Sequence, residues 1–349
     1  MTKAQHKLAA KFSKVLIEDM FQLKQGETVA ITADSGSNKI VIDALTEATK
    51  NAGGIPLVMW IPRAKEESQA GMKYWPSKAL TAALCNVDVW IEAQSMVILY
   101  SDIWETAMDE NKALRYLIIA DSTPESLERV FTGYSVPILK TLLNAVKDMV
   151  MRCNTVRITS KNGTNVSYDI DLNYAFDIDD GDYSQPKFGT APGFVNIVPK
   201  LDSMSGIIVF DHLQNAENGS QLQFIMKKGK IVDVVGGKEA KKFKEYLASF
   251  EDENMYKISH NMIGLNPKVT SLSGELVEDE RIWGGVDFGF GHTSAMDMPP
   301  FGQMAKSHFD GVVAETSIFF DETQITNNGH ICHEQLMLIT ENLLTAENA

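Results

Sequence analysis

Cysteine is scarce in this chain: Cys85, Cys153 and Cys332 are the only three in 349 residues, and they lie far apart. An odd, dispersed set gives neither a disulfide framework nor a Cys-x-x-Cys metal spacing, which suits a reducing compartment. Positive charge is also short. Lys and Arg number 32 against 46 Asp and Glu, a formal net charge of -14. A surface that acidic repels phosphate backbones and anionic lipid, so neither nucleic acid nor a membrane surface is expected as a partner. Long apolar runs are missing as well. No stretch is long enough to span a bilayer, and Met1–His6 leads into an amphipathic segment without the apolar core of a signal peptide. These readings predict a cytoplasmic protein. They also make the Asn-x-Ser/Thr sequons at Asn162, Asn165 and Asn218 turn sequences rather than glycosylation sites. No Gly-x-Gly-x-x-Gly follows the first strand-like segment and no Walker-type loop occurs, so nucleotide binding is unsupported.

What is present is an ordinary globular balance, 44% hydrophobic and 22% charged, which argues against disorder. The length exceeds one typical core and predicts two domains, residues 1–150 and 151–349. In the first, helical and strand patterns alternate. Leu8, Phe12, Val15, Leu16 and Met20 recur at helical spacing before Gly26, and Val29–Thr32 reads as a buried strand. A helix through Ile40–Thr49 and apolar runs at Ile55–Ile61, Val87–Ile91 and Tyr116–Ala120 continue the alternation. Such alternation implies right-handed crossovers and a parallel sheet, hence an α/β domain. Near residue 152 the texture changes. Thr155–Ser160 and Asn165–Ile170 flank Lys161-Asn162-Gly163, a hairpin signature, and further strand-like runs follow with one helix at Glu239–Phe250. This half is predicted to be α+β and rich in antiparallel strands.

Three segments carry residues suited to chemistry. In Ser307-His308-Phe309-Asp310-Gly311, a strand would put His308 and Asp310 on one face. An imidazole and a carboxylate side by side are two legs of a 2-His-1-carboxylate site, or simply a neutral histidine bonded to a neighbouring acid. His260 ends an apolar run before Gly264 and Asn266-Pro267, a place where site residues occur, although taken singly it reads first as a satisfied core histidine. In Asp279–His292, four glycines fall within eight residues, with Glu280 and His292 as acid–base candidates. Glycines there allow close backbone approach at a site floor, or supply bulges and turns beside a solvated charge run. Two other clusters read as structural. Asp177, Asp179, Asp180 and Asp182 around Gly181 lack the glycine position and distal Glu of a calcium loop, and predict a solvated acidic turn. His330, Cys332 and His333 follow the hairpin turn Asn327-Asn328-Gly329, and no fourth zinc ligand is evident.

Together, the segments between about Tyr256 and Val312 resemble the aminopeptidase T family of metallopeptidases, and more closely the 2,5-dihydroxypyridine 5,6-dioxygenases. The peptidases carry a Glu ligand where this chain has His260, and a His ligand where Asp279–Gly284 runs into Gly285. Both replacements remove ligands of a two-metal peptidase site. The resemblance to the dioxygenases implies one Fe(II) held by His260, His308 and Asp310. It also implies a homo-oligomer, and a first domain that forms one wall of the cleft beside the metal-binding domain. The dioxygenases keep an active-site histidine where this chain has Tyr100, and another before a pair resembling Gly193-Phe194, where this chain has none. His292 falls where the peptidases use a tyrosine, and Glu280 at their catalytic glutamate.

The leading expectation is thus a mononuclear non-haem Fe(II) dioxygenase of extradiol type that opens a hydroxylated pyridine or related aromatic ring. Its partners would be that small aromatic substrate and dioxygen. Two neutral imidazoles and one carboxylate leave the iron three open positions for them. A divergent metal-dependent aminopeptidase using Glu280 as base, and a non-catalytic binding protein with a vestigial metal site, are the alternatives.

Overall fold

The computed structural model describes residues 2–120, 122–217 and 219–344, so the Asn218 sequon lies outside the described residues. The chain forms two compact units, one of Met1–Val136 with Gly181–Pro192 and one of Pro137–Asp180 with Gly193–Ala349. Among the described residues, no helix is long and apolar enough to cross a membrane.

In the first unit five parallel strands lie in the order Ile55–Trp60, Thr28–Ala33, Val89–Glu92, Arg115–Ile118, Lys187–Gly189. The alternation of apolar strands and amphipathic helices read from the sequence is therefore realised as a parallel sheet. The helix Lys39–Asn51 shows the local logic. Asn38 caps it by accepting from the Ile40 amide, and Ile40, Val41, Leu45 and Ala48 turn one face inward. Gly53, at φ +83°, then lets the chain reverse into the next strand. The fifth strand, three residues long, is too short to carry a periodic signal.

The second unit is built on antiparallel strands. One sheet runs Lys230–Val235, Gln223–Lys227, Ser205–Val209, Asn165–Asp169, Thr155–Thr159, Ser317–Phe320, Thr323–Gln324. The other runs His212–Leu213, Gln303–Val313, Val286–Thr293, Ile258–Gly264, Phe194–Ile197, Phe176–Asp179. An aromatic layer lies against one face of this six-stranded sheet. Phe288, Phe290 and Phe309 project from it toward Phe210, Phe224 and Phe243, with Phe224–Phe290 centroids 5.4 Å apart and Phe290–Phe309 at 5.2 Å. Because alternate residues of a strand face opposite ways, Asp287, Gly289, His308 and Asp310 share the other face.

The acidic run departs from expectation. Asp177 and Asp179 belong to the edge strand Phe176–Asp179, which pairs with Phe194–Ile197, and Asp179 and Asp180 are buried rather than solvated. Strand pairing draws the run inward, and Lys140 stands 3.8 Å from the Asp180 carboxylate.

Within the first unit, Glu92 is a buried acid that the sequence reading passes over. It ends its strand with no exposed surface and accepts from the Tyr116 hydroxyl, the Gln94 side chain and the Ile98 amide. Burial pushes its carboxyl from 4.5 up to about 7, although the bonds from Tyr116 and Ile98 pull the other way. A raised acid binds a proton more tightly folded than unfolded. Its contribution to stability is therefore complete below 4.5 and lost as pH rises through about 7. Glu92→Gln should flatten this pH dependence. At pH 5, where the parent carboxyl is protonated and carries one donor of its own, it should cost no more than about 1–3 kcal/mol, from the extra N–H that the amide turns toward groups that themselves donate. Urea midpoints of parent and variant at pH 5 and 8 check this; parallel pH trends in the two proteins would refute it.

Candidate active site

Three neighbouring strands of the six-stranded sheet bring the candidate residues together. Across them His260 pairs with Gly289, and Gly289 pairs with Asp310, so the three form one row on the open face. His308 stands opposite Gly291 in the next row, and Asp287 lies between Met262 and Val312 in the row on the other side. The glycine in the middle decides the geometry. A Cβ at Gly289 would lie 2.3 Å from Cε1 of His260 and 2.7 Å from both ring nitrogens. The imidazole therefore lies across the bare middle strand toward Asp310.

The result is a compact donor set. His308 Nε2 is 2.9 Å and His260 Nε2 3.5 Å from the same Asp310 Oδ1, and the two imidazoles stack with centroids 5.1 Å apart. One ligand atom from each of His260, His308 and Asp310 lies within 4.8 Å of the others. A second trio, Glu280, Asp287 and Asp310, meets the same limit and shares Asp310. His308 is oriented from behind: its Nδ1 donates to the His292 carbonyl at 2.8 Å, which directs Nε2 into the site. A second bond, from the Ser259 hydroxyl, holds that carbonyl at 2.9 Å.

The close approach of these groups shifts their proton affinities. Burial presses the His308 imidazole down, but the adjacent Asp310 carboxylate carries it up to about 9. Burial likewise works to raise Asp310, yet His308 brings it below the ordinary carboxylate value. Burial lowers His260 against the pull of Asp310. Asp287 is raised well above the usual range by burial and then by the charge of Asp310. Glu280 is lifted to about 8 by burial despite its pairing with Arg281. Two imidazoles and a carboxylate converging on one point form a donor set suited to a divalent transition metal, which would replace those protons.

The remaining candidates fall as follows. Glu280 sits with Asp287 and Asp310, at the edge of this cluster. His292 follows Gly291, whose φ of +93° breaks the strand alternation. It is its carbonyl that supports His308, while burial and then the charge of His308 lower its partly buried ring. Tyr100 belongs to the first unit, where it takes φ +62° with its ring edge-on to Trp104. Among the described residues, His330, Cys332 and His333 form no cluster with metal-ligand spacing. Asp287 is the site residue that sequence reasoning missed. The available signal was an acid in the otherwise apolar, glycine-rich run Val286–Phe290.

Gly289→Ala tests the row directly. The added methyl should displace the His260 ring and weaken divalent-metal binding by about 10- to 100-fold, the usual scale for disturbing what orients a ligand. Titration of metal-stripped protein with Co(II) measures it, and an unchanged affinity would contradict the geometry.

Over residues 7–333 the chain matches the family described as NicX: 2,5-dihydroxypyridine 5,6-dioxygenase. No curated protein sequence matches it. Among solved structures it is similar to 2,5-dihydroxypyridine dioxygenase from Pseudomonas putida KT2440, at 19% identity and TM-score 0.79 over 96% of this chain and 99% of that one. It is also similar to wild-type AmpT from Thermus thermophilus, at 12% identity and TM-score 0.69 over 94% and 99%. At these identities the two structures bear on the fold, and the match along the sequence bears on the family. The chain belongs to the 2,5-dihydroxypyridine 5,6-dioxygenase family.

Proposed function

We propose that this protein opens a hydroxylated pyridine or related aromatic ring with dioxygen, using one Fe(II) held by His260, His308 and Asp310. The observation that carries the reading is the convergence of two imidazoles and one carboxylate on a single point, in a chain of this family. The chemistry supplied by a bound Fe(II) would be Lewis acidity toward a ring hydroxyl and redox activation of dioxygen.

The protein's own share is positioning and proton handling. The His292 carbonyl fixes the His308 tautomer, so that Nε2 and not Nδ1 faces the reacting centre. Gly289 leaves His260 its seat. A ring hydroxyl must lose a proton as it binds, and the cleaved product must gain one. The His292 imidazole, whose partly buried ring is held neutral by desolvation, is the base this reading assigns to the first transfer. Glu280, whose carboxyl is raised by burial, is the acid assigned to the second. Arg281, buried beside Glu280 and lying over the Phe194 ring, fixes the position of that acid.

Two measurements test the reading. Protein purified without air should contain one iron per chain, consume oxygen with 2,5-dihydroxypyridine and bleach the ring's near-ultraviolet absorbance. His308→Ala should lose both the iron and the oxygen uptake. Release of amino acids from aminoacyl substrates without oxygen uptake would favour the aminopeptidase alternative, and absence of bound metal would favour a binding protein. His292→Ala should lower turnover by about 10²–10⁴-fold with normal iron content, and remove the acidic limb of the pH–rate profile. Unchanged turnover and profile would take the base role away from His292.

A further inference from the structure

The strand Ile55–Trp60 stands at one edge of the five-stranded sheet and pairs with Thr28–Ala33 alone. That neighbour occupies every second residue. The Ile55 amide donates to the Glu27 carbonyl and the Ile61 amide to the Ala33 carbonyl, both at 2.8 Å, so by alternation Leu57 and Met59 face the same way. The backbone groups of Pro56, Val58 and Trp60 then point outward, where among the described residues no further strand pairs with them. Exposed strand edges are commonly blunted by charged side chains. This one is not: Asn51–Pro62 contains no Lys, Arg, Asp or Glu. Large apolar side chains stand there instead, with Ile55 57%, Leu57 38% and Trp60 52% exposed.

The chemistry of this edge fits a second copy of the same edge. Two copies laid antiparallel about a two-fold axis at Val58 let each Val58 amide donate to the other's Val58 carbonyl, and each Trp60 amide to the other's Pro56 carbonyl. Pro56 has no amide hydrogen to give, so both outward donors of the strand are engaged. Among the registers that engage both, this one overlaps the two strands most fully. Side chains agree with it, since Trp60 then lies across from Pro56 and Leu57 across from Met59, apolar against apolar. Charge points the same way. At a net charge of -14 two copies repel over most of their surfaces, and an uncharged edge is where their approach costs least. Area sets the strength. The exposed parts of Ile55, Leu57 and Trp60 amount to roughly 300 Å² per copy, taking about 150–250 Å² for a large side chain. Two copies thus supply about half of the roughly 1,200 Å² at which specific interfaces begin. The half-buried Pro56, Val58 and Met59 and the open backbone add to that, which suits a dimer dissociating at about micromolar concentration.

We propose that this protein self-associates edge to edge through Ile55–Trp60, joining the parallel sheets of two copies into one continuous sheet. The proposal is independent of the metal reading above.

The test is sedimentation velocity of the full-length protein from about 1 to 100 µM, with hydrogen exchange of the segment 55–61 at both ends of that range. Val58→Pro removes the central outward amide and leaves the bonds to Thr28–Ala33 untouched. Trp60→Lys keeps the backbone and puts a charge on the edge. Phe301→Glu is the control, because Phe301 is 82% exposed on a hairpin loop of the second unit. Wild type should pass from monomer to dimer across the range, with the Val58 and Trp60 amides exchanging more slowly as the dimer forms. Both edge variants should dissociate at least about 10-fold more readily, and Phe301→Glu should behave as wild type. Thermal unfolding shows whether each variant is folded, and if Val58→Pro is not, Trp60→Lys decides alone. A wild-type protein that stays monomeric throughout would overturn the proposal. So would a dimer that the edge variants leave intact, and loss of the dimer in Phe301→Glu alone would move the interface to that loop.

Discussion

An imidazole can lie across a β-strand only where that strand is bare beneath it. His260 and Asp310 sit on the two strands that flank Val286–Thr293, and a side chain at Gly289 would fill the space their functional atoms now share. Everything else in the cluster follows from that gap. His308 reaches Asp310 along its own strand, Asp287 comes up one row away, and Glu280 closes the edge. The aromatic layer holds the strands in register from the opposite face. The donor set is therefore placed by sheet geometry and not by mobile loops, which favours a fixed, preorganised arrangement.

Charge is the second constraint. Three carboxyl groups and two imidazoles share a buried volume with Arg281 as the near permanent cation. Like charges that close cannot all be ionised, so protons settle on Asp287, Glu280 and His308 while Asp310 stays a carboxylate. A divalent ion is the natural substitute for those protons. The same balance makes the site sensitive to any change of charge, since removing one partner strands another in low dielectric.

Much of this was legible in the sequence. Strands alternating with helices before residue 150, and β-branched runs with Gly-containing turns after it, led to a parallel sheet followed by antiparallel ones because each element must bury its own apolar face. His308 and Asp310 could be paired from their spacing alone. His260 could not: its partnership depends on register across two other strands, with a bulge between Ile258 and His260 that no local pattern specifies. The sequence marked it as a possible site residue, and only the resemblance to the dioxygenases joined it to His308 and Asp310. Asp287 was invisible for the same reason, being close to its partners only once three strands are aligned. The run Asp177–Asp182 misled because composition records charge, while burial is decided by the strand Phe194–Ile197 that pairs with it.

The aromatic layer behind the sheet has one more effect. Phe288, Phe290 and Phe309 back the cluster with tightly packed rings, so on that side the donor atoms meet apolar side chains and not solvent. On the cluster's own side His308 is the least buried of the three, its side chain 32% exposed against 17% for His260 and 14% for Asp310. A ligand or a water molecule therefore meets the His308 ring before the carboxylates behind it.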